Sequence, residues 1–81
     1  MDSPTTVLML VTPWCGLCPT AKKMLGDAVE VVDVTQRPEL LEHTTFTSTP
    51  IYLVFKGDEC VGSFAGLMPR AAFDKKMAAY L

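Results

Sequence analysis

Cys15 and Cys18 stand two residues apart within Thr12-Pro13-Trp14-Cys15-Gly16-Leu17-Cys18-Pro19. Such a pair can open a disulfide in another molecule and close into one of its own. Only the thiolate attacks a disulfide, and a free thiol is mostly protonated at neutral pH. A helix N-terminus carries roughly +0.5 charge and unpaired N–H groups, which favour a sulfur anion and lower thiol pKa values in such motifs to about 3.5–7.5. Cys15 is expected where that field is strongest, as the attacking sulfur. Gly16 lets the backbone approach the sulfur and a bound partner, and Cys18, one turn on, lies within disulfide reach. Cys18 is therefore the expected resolving sulfur, displacing the partner from a mixed disulfide within the same molecule.

That chemistry needs a strand to end and a helix to begin at the motif. Thr6-Val7-Leu8-Met9-Leu10-Val11 is a continuous run of strand formers, the pattern of a central strand buried on both faces. Pro13 ends it. Beyond the motif, Ala21, Met24, Leu25 and Ala28 recur at helical spacing, so the first helix is read from about Cys15 to Leu25, with Gly26 as its C-cap. Pro19 falls in its first turn, where a missing N–H costs little.

A second strand is expected at Val29–Val34, parallel to the first through a β-α-β crossover and, from its outward acidic residues, at an edge. Pro38–His43 reads as a short helix with proline at its first position, and residues 44–49 as a polar loop ending at Thr49-Pro50. Ile51–Phe55 and Cys60–Phe64 read as antiparallel strands joined by Lys56-Gly57-Asp58-Glu59. Gly66 follows, and Pro69 opens a last helix with Phe73, Met77 and Tyr80 on its apolar stripe. The order is β-α-β-α-β-β-α, an α/β protein without repeats or linkers.

Composition narrows the uses of this frame. A chain of 81 residues, 49% apolar, is expected to form one small domain over 1–81 that buries about 60% of its unfolded surface. A net charge of −2 gives no basic patch for nucleic acid. No run approaches the ~18 apolar residues of a membrane span, and Met1-Asp2-Ser3-Pro4 lacks the pattern of a secretory signal, so a soluble cytoplasmic protein is expected. Three cysteines, two of them close-set, suit redox or metal use better than a secreted disulfide framework.

Trp14-Cys15-Gly16-Leu17-Cys18 resembles the thioredoxin active site Trp-Cys-Gly-Pro-Cys. Thr49-Pro50 is similar to the family's cis-proline turn, and Lys56-Gly57-Asp58 with Gly66 to its closing hairpin. The resemblance covers nearly the whole chain. It implies the thioredoxin-like fold, with a four-stranded mixed sheet flanked by helices, and a dithiol-disulfide oxidoreductase working through Cys15 and Cys18 without a cofactor or metal. Pro13, Trp14, Gly16, Leu17, Thr49, Pro50 and Gly66 become its substrate-contact and supporting residues, with the Thr49 backbone laid beside Cys15. Implied partners of such a monomer are protein disulfides and either a thioredoxin-reductase-type flavoenzyme or glutathione.

The departures are equally specific. Thioredoxins are longer and carry a buried Asp six residues before the first cysteine, where this chain has Met9. The short length is like that of glutaredoxins, yet Thr12-Pro13-Trp14 has no basic residue and Gly66-Leu67-Met68-Pro69 lacks the polar pair of a glutathione site. The mixture looks most like the NrdH-type redoxins, which draw on a thioredoxin reductase and supply ribonucleotide reductase. Their Ser-Gly-Phe-Arg-Pro tail is only loosely echoed in Ser63-Phe64 and Pro69-Arg70.

Each residue also has a plainer reading. The C-x-x-C pair would be half a zinc site if Cys60 and His43 completed it, but no second C-x-x-C or H-x-x-x-H is present. Trp14 is read as a half-exposed contact for partner proteins rather than core. Cys60 is read as a buried strand residue, His43 as solvated, and Lys22 and Lys23 as a solvated helix face adding positive potential near Cys15. Gly66 is read as a tight backbone approach at the rim. The alternatives to a reductase-fed oxidoreductase are a glutathione-dependent glutaredoxin and a non-catalytic binding module of the same fold.

Overall fold

The computed structural model describes residues 4–80, so the Met1-Asp2-Ser3 read for a signal sequence lies outside the described residues. Strand β1 (Thr5–Val11) is central, as its apolar run requires. It pairs in parallel with β2 (Glu30–Asp33) on one side and antiparallel with β3 (Ile51–Lys56) on the other, and β4 (Glu59–Ala65) closes the far edge antiparallel to β3. The strand order is β2-β1-β3-β4. Helices α1 (Cys18–Leu25) and α2 (Arg70–Met77) cover one face of this mixed sheet, and a 3-10 helix at Pro38–His43 lies over the other. Among the described residues no helix is long and apolar enough to cross a membrane.

The period-two alternation of β1 and β3 divides the core. Met9, Tyr52 and Val54 point toward the helices and pack with Ala21 and Leu25 of α1 and Phe73 and Met77 of α2. Leu10, Ile51 and Leu53 point the other way, against Val34 and Leu40. The first face is well covered. On the second, Pro38–His43 winds as a single short 3-10 helix that buries only Leu40, and Leu8, Phe55 and Cys60 stay partly exposed around it. Each fully buried Leu or Phe contributes about 1.5–3 kcal/mol, so the helical face carries the larger share of stability.

Three boundaries differ from the sequence expectation for local reasons. The first helix begins at Cys18 rather than Cys15, with Leu17 as its N-cap. Ahead of it the Cys15 N–H donates to the Thr12 carbonyl at 3.1 Å, so Cys15 belongs to a turn, and Pro19 without its N–H fits only the first helical positions. Gly26 does cap α1, at φ 53° with its N–H on the Lys22 carbonyl, and a 3-10 turn (Gly26–Ala28) leads into a shortened β2. In β4, Val54 faces Gly62 while Phe55 faces Cys60, which leaves Val61 as a bulged residue turned outward. The bulge breaks the alternation. Cys60 is thereby placed among the second-face residues, half-buried rather than buried, with its thiol on the Gly62 carbonyl at 3.6 Å.

Gly62 meets the end of the chain. A Cβ there would run into the phenol ring of Tyr80, which the last 3-10 turn (Ala78–Tyr80) lays against β4. Replacing Gly62 by Ala is expected to lower stability by about 1–3 kcal/mol through overpacking, a fall in Tm of roughly 4–8 °C per kcal/mol in a domain of this size. A thermal melt followed by far-UV circular dichroism checks it.

Candidate functional site

The site forms where β1 ends and β3 begins. The antiparallel register sets Leu10 opposite Ile51, so the turn leaving β1 and the turn entering β3 emerge side by side. Cys15 and Cys18 are joined in a disulfide with Cα atoms 5.5 Å apart. Their exposures differ. Cys18, at the first position of α1, is 5% exposed and packed beneath, whereas Cys15 is partly open at the surface. No side chain caps α1, so its first N–H groups remain unspent and their field points toward the sulfurs.

Residues that lie far apart in sequence meet at Cys15. The Thr49–Pro50 peptide is cis, Pro50 is fully buried, and the Thr49 hydroxyl lies 3.4 Å from the Thr12 hydroxyl. The Pro50 carbonyl accepts the Gly66 N–H at 3.0 Å, and the Gly66 carbonyl accepts the Tyr52 hydroxyl at 3.1 Å. Thr49, Pro50 and Gly66 are thus tied to one another and, through Tyr52, to the aromatic cluster of Phe64 and Phe73. Gly66 sits at φ 110°, which L side chains rarely adopt, with open space where a Cβ would stand. Its glycine is required by conformation, not by the tight approach expected from sequence.

Two open troughs run from the disulfide along this rim. One, of about 410 Å³, is lined by Thr12, Trp14, Cys15, Gly16 and Leu17 on one side and Thr47, Ser48 and Thr49 on the other. The next, of about 430 Å³, continues past Leu17 and Phe46 to Ala65 and Gly66. Their walls are hydroxyl and apolar groups, with no charged side chain. Trp14 is 77% exposed, more than the half-exposure expected of it, and Leu17, Phe46 and Leu67 are exposed as well. Gly16 adopts no positive φ and a Cβ there would touch nothing, so its value is an uncluttered face beside Cys15. Pro13 lies exposed at the turn and lines a further cavity, of about 310 Å³, that opens beside β2.

The sequence singled out Pro13, Trp14, Gly16, Leu17, Thr49, Pro50 and Gly66; the first five share cavity walls with Cys15, Pro50 follows Thr49 through the cis bond, and Gly66 lies along the next trough, bonded to Pro50. It missed Thr12, Phe46 and Tyr52. Tyr52 had a signal, a phenol two residues beyond Pro50 and the one hydroxyl in its strand, where a buried hydroxyl needs an acceptor. Lys22 lies on the solvated helix face as expected, but its Nζ turns to the end of α1, donating to the carbonyls of Gly26 at 2.8 Å and Val29 at 3.2 Å. Cys60 and His43 both lie by Phe55, at the opposite end of β3 from Pro50. They are not brought to the Cys15–Cys18 pair, and among the described residues no three His, Cys, Asp or Glu gather as metal ligands would.

Comparison with protein-family models gives no match, and neither does comparison with the sequences of curated proteins. Solved structures do match. The chain is similar to the germline-specific thioredoxin Deadhead of Drosophila melanogaster, at 24% identity and a TM-score of 0.70 over 99% of this chain and 84% of that one. It is similar to desulfothioredoxin of Desulfovibrio vulgaris Hildenborough in its reduced form, at 20% identity and a TM-score of 0.78 over 93% and 80%. A thioredoxin of Thermus thermophilus matches at 22% identity and a TM-score of 0.69 over 94% and 72%. The fold of this chain is the thioredoxin fold.

Tyr52 links the core to the rim, and its protonation state is open to test. Burial raises the phenol above its ordinary value, because the phenolate would lose its hydration. The folded chain therefore keeps a proton that the unfolded chain releases as pH passes about 10, and stability should fall with rising pH there while staying unaffected by this group below. Tyr52→Phe is expected to cost about 1 kcal/mol at neutral pH, for the lost bond to Gly66, and to remove that part of the alkaline slope. Urea unfolding at neutral and alkaline pH, wild type against variant, measures both.

Proposed function

We propose that this thioredoxin-fold chain is a dithiol-disulfide oxidoreductase that reduces protein disulfides. The observation that carries the reading is the asymmetry of its own disulfide: one sulfur open on a trough, the other buried beneath it at a helix start. In the reduced protein the Cys15 thiolate attacks one sulfur of a target disulfide. The target S–S bond breaks, a mixed disulfide forms, and one target thiolate leaves. Cys18 then loses its proton and attacks the Cys15 sulfur, closing the internal disulfide and releasing the second target thiolate. Two electrons have passed from this chain to the target, and a donor must return them.

The surrounding residues fit that sequence. In the described structure the Thr49 backbone makes no hydrogen bond of its own, so its N–H and C=O beside Cys15 are free to pair with an extended target segment. Trp14, Leu17 and Phe46 offer that segment apolar contact.

For the donor, the uncharged troughs favour a protein surface over glutathione, whose carboxylates would find no basic partner there. A thioredoxin-reductase-type flavoenzyme is the donor we assign. The likeness to NrdH-type redoxins adds ribonucleotide reductase as a client, and a reducing, cytoplasmic setting follows from the need to keep the pair recharged.

NADPH consumption by thioredoxin reductase with the oxidised chain and a protein disulfide tests the reading. A parallel cuvette holds glutathione and its reductase. Turnover in the first is expected, and turnover only in the second would replace the donor. Cys15→Ser should abolish exchange, and Cys18→Ser should accumulate a mixed disulfide with the target, visible on a non-reducing gel. Alkylation at mildly acidic pH should strike Cys15 well before Cys60; equal, slow labelling of both would return the chain to a non-catalytic binding module.

A further inference from the structure

The thiol chemistry leaves the Tyr52 hydroxyl without a part. Its residue is 0% exposed, with the ring stacked on Phe64 at a centroid distance of 5.0 Å and edge-on to Phe73 at 5.9 Å. Packing alone does not call for the hydroxyl: Val54, on the same face of β3, fills the core without one. The two neighbouring rings fix where the phenol ends, and there it donates to the Gly66 carbonyl at 3.1 Å.

Gly66 stands where β4 gives way to the wall of the second trough. Its N–H donates to the Pro50 carbonyl at 3.0 Å, which carries the β3–β4 ladder one step past Ile51 and Ala65. Beyond that step the chain leaves the sheet, and the next backbone bond is that of the Phe73 N–H to the Pro69 carbonyl. At φ 110°, with open space where a Cβ would stand, Gly66 has no side chain to anchor it. The two peptides that flank it are pinned differently. The one before it is held by the backbone of β3, and the one after it by the side chain of Tyr52.

We propose that Tyr52 is a positioning residue for the target segment. Its hydroxyl keeps the Gly66–Leu67 peptide turned toward the core, which fixes the Ala65–Gly66 wall of the second trough and, through Pro50, braces the Thr49 peptide beside Cys15. The trough is shaped before a target arrives, so less ordering is left to oppose binding. Tyr52 itself lines neither trough and takes no part in the exchange between sulfurs. Its influence is confined to targets long enough to reach Ala65 and Gly66. This inference rests on the reading of the troughs as the seat of a target segment attacked by Cys15.

The test follows pyridinethione release in stopped flow from two uncharged probes activated as the same S-pyridylthio disulfide. One is N-acetylcysteine amide, and the other is a capped peptide of apolar and hydroxyl residues with its cysteine at the centre. In the full reduced chain carrying Cys60→Ser, Cys15 attacks the cysteine sulfur of the probe, the bond to the pyridylthio group breaks, and pyridinethione leaves with the electron pair. Cys18 then closes the internal disulfide and releases the probe as its thiol. This parent chain is expected to favour the peptide, and the ratio of the two rates is the readout. Tyr52→Phe should lower that ratio about two- to ten-fold, the range set by one net hydrogen bond. Gly62→Ala, which strikes the Tyr80 contact on β4 and lowers stability away from the troughs, should leave the ratio as it is. A ratio not lowered by Tyr52→Phe, or lowered equally by Gly62→Ala, overturns the role of Tyr52. A parent chain without preference for the peptide overturns the reading of the troughs instead, and release undiminished by Cys15→Ser overturns the assignment of the attacking sulfur.

Discussion

The register between β1 and β3 is the constraint on which the rest of the structure depends. Leu10 opposite Ile51 on one face and Met9 opposite Tyr52 on the other form the buried middle of the sheet. A slip of one residue would exchange Met9, Tyr52 and Val54 with Leu10, Ile51 and Leu53 and turn each set toward the wrong cover. The same register fixes where the chain leaves the sheet. Thr12 and Thr49, 37 residues apart, meet because the strands behind them are locked. The Cys15–Cys18 pair is held by a packed core rather than by its own loop.

The cover is uneven. Two helices, three aromatic rings and the Tyr80 turn lie on one face, and a single 3-10 helix on the other. The residues around the disulfide draw support from the better-covered side. Cys18 sits at the start of α1, and Tyr52 carries the order of the aromatic cluster to Gly66 and from there to Pro50. The thinner face holds Cys60 and His43, remote from the disulfide. Local opening is expected first on that side, where apolar contacts are fewer, while the disulfide's surroundings open with the whole molecule.

Much of this was legible in the sequence because its signals were local. A continuous apolar run specified β1, helical spacing specified most of α1 and α2, and Cys15 and Cys18 carry their pairing in their type and spacing, whereas the type of Gly66 suggests a close approach and its positive φ is what holds it instead. What escaped depends on events between distant residues. Helical spacing sets the start of α1 three residues early because it does not reveal the turn that holds Cys15 on Thr12. The bulge at Val61 breaks an alternation that its composition gave no reason to doubt, and so Cys60 changed faces. Lys22 is exposed, as a helix-face lysine should be, and only the closed chain brings the carbonyls of Gly26 and Val29 within its reach. Tyr52 and Thr12 take their roles from partners that only the closed sheet supplies.

The walls of the two troughs hold hydroxyls, Trp14, Leu17 and Phe46, and none of their lining side chains bears a charge. A partner approaching this rim meets no charged side chain on the trough walls to hasten or orient it, so encounter is expected at the ordinary pace of association without charge steering, on the order of 10⁵–10⁶ M⁻¹s⁻¹. Ionic strength should then have little purchase on the encounter. Under the proposed function, discrimination among partners would shift from arrival to residence: a segment would stay where its shape and apolar surface match the trough, and the proposed exchange would act on whatever lingers.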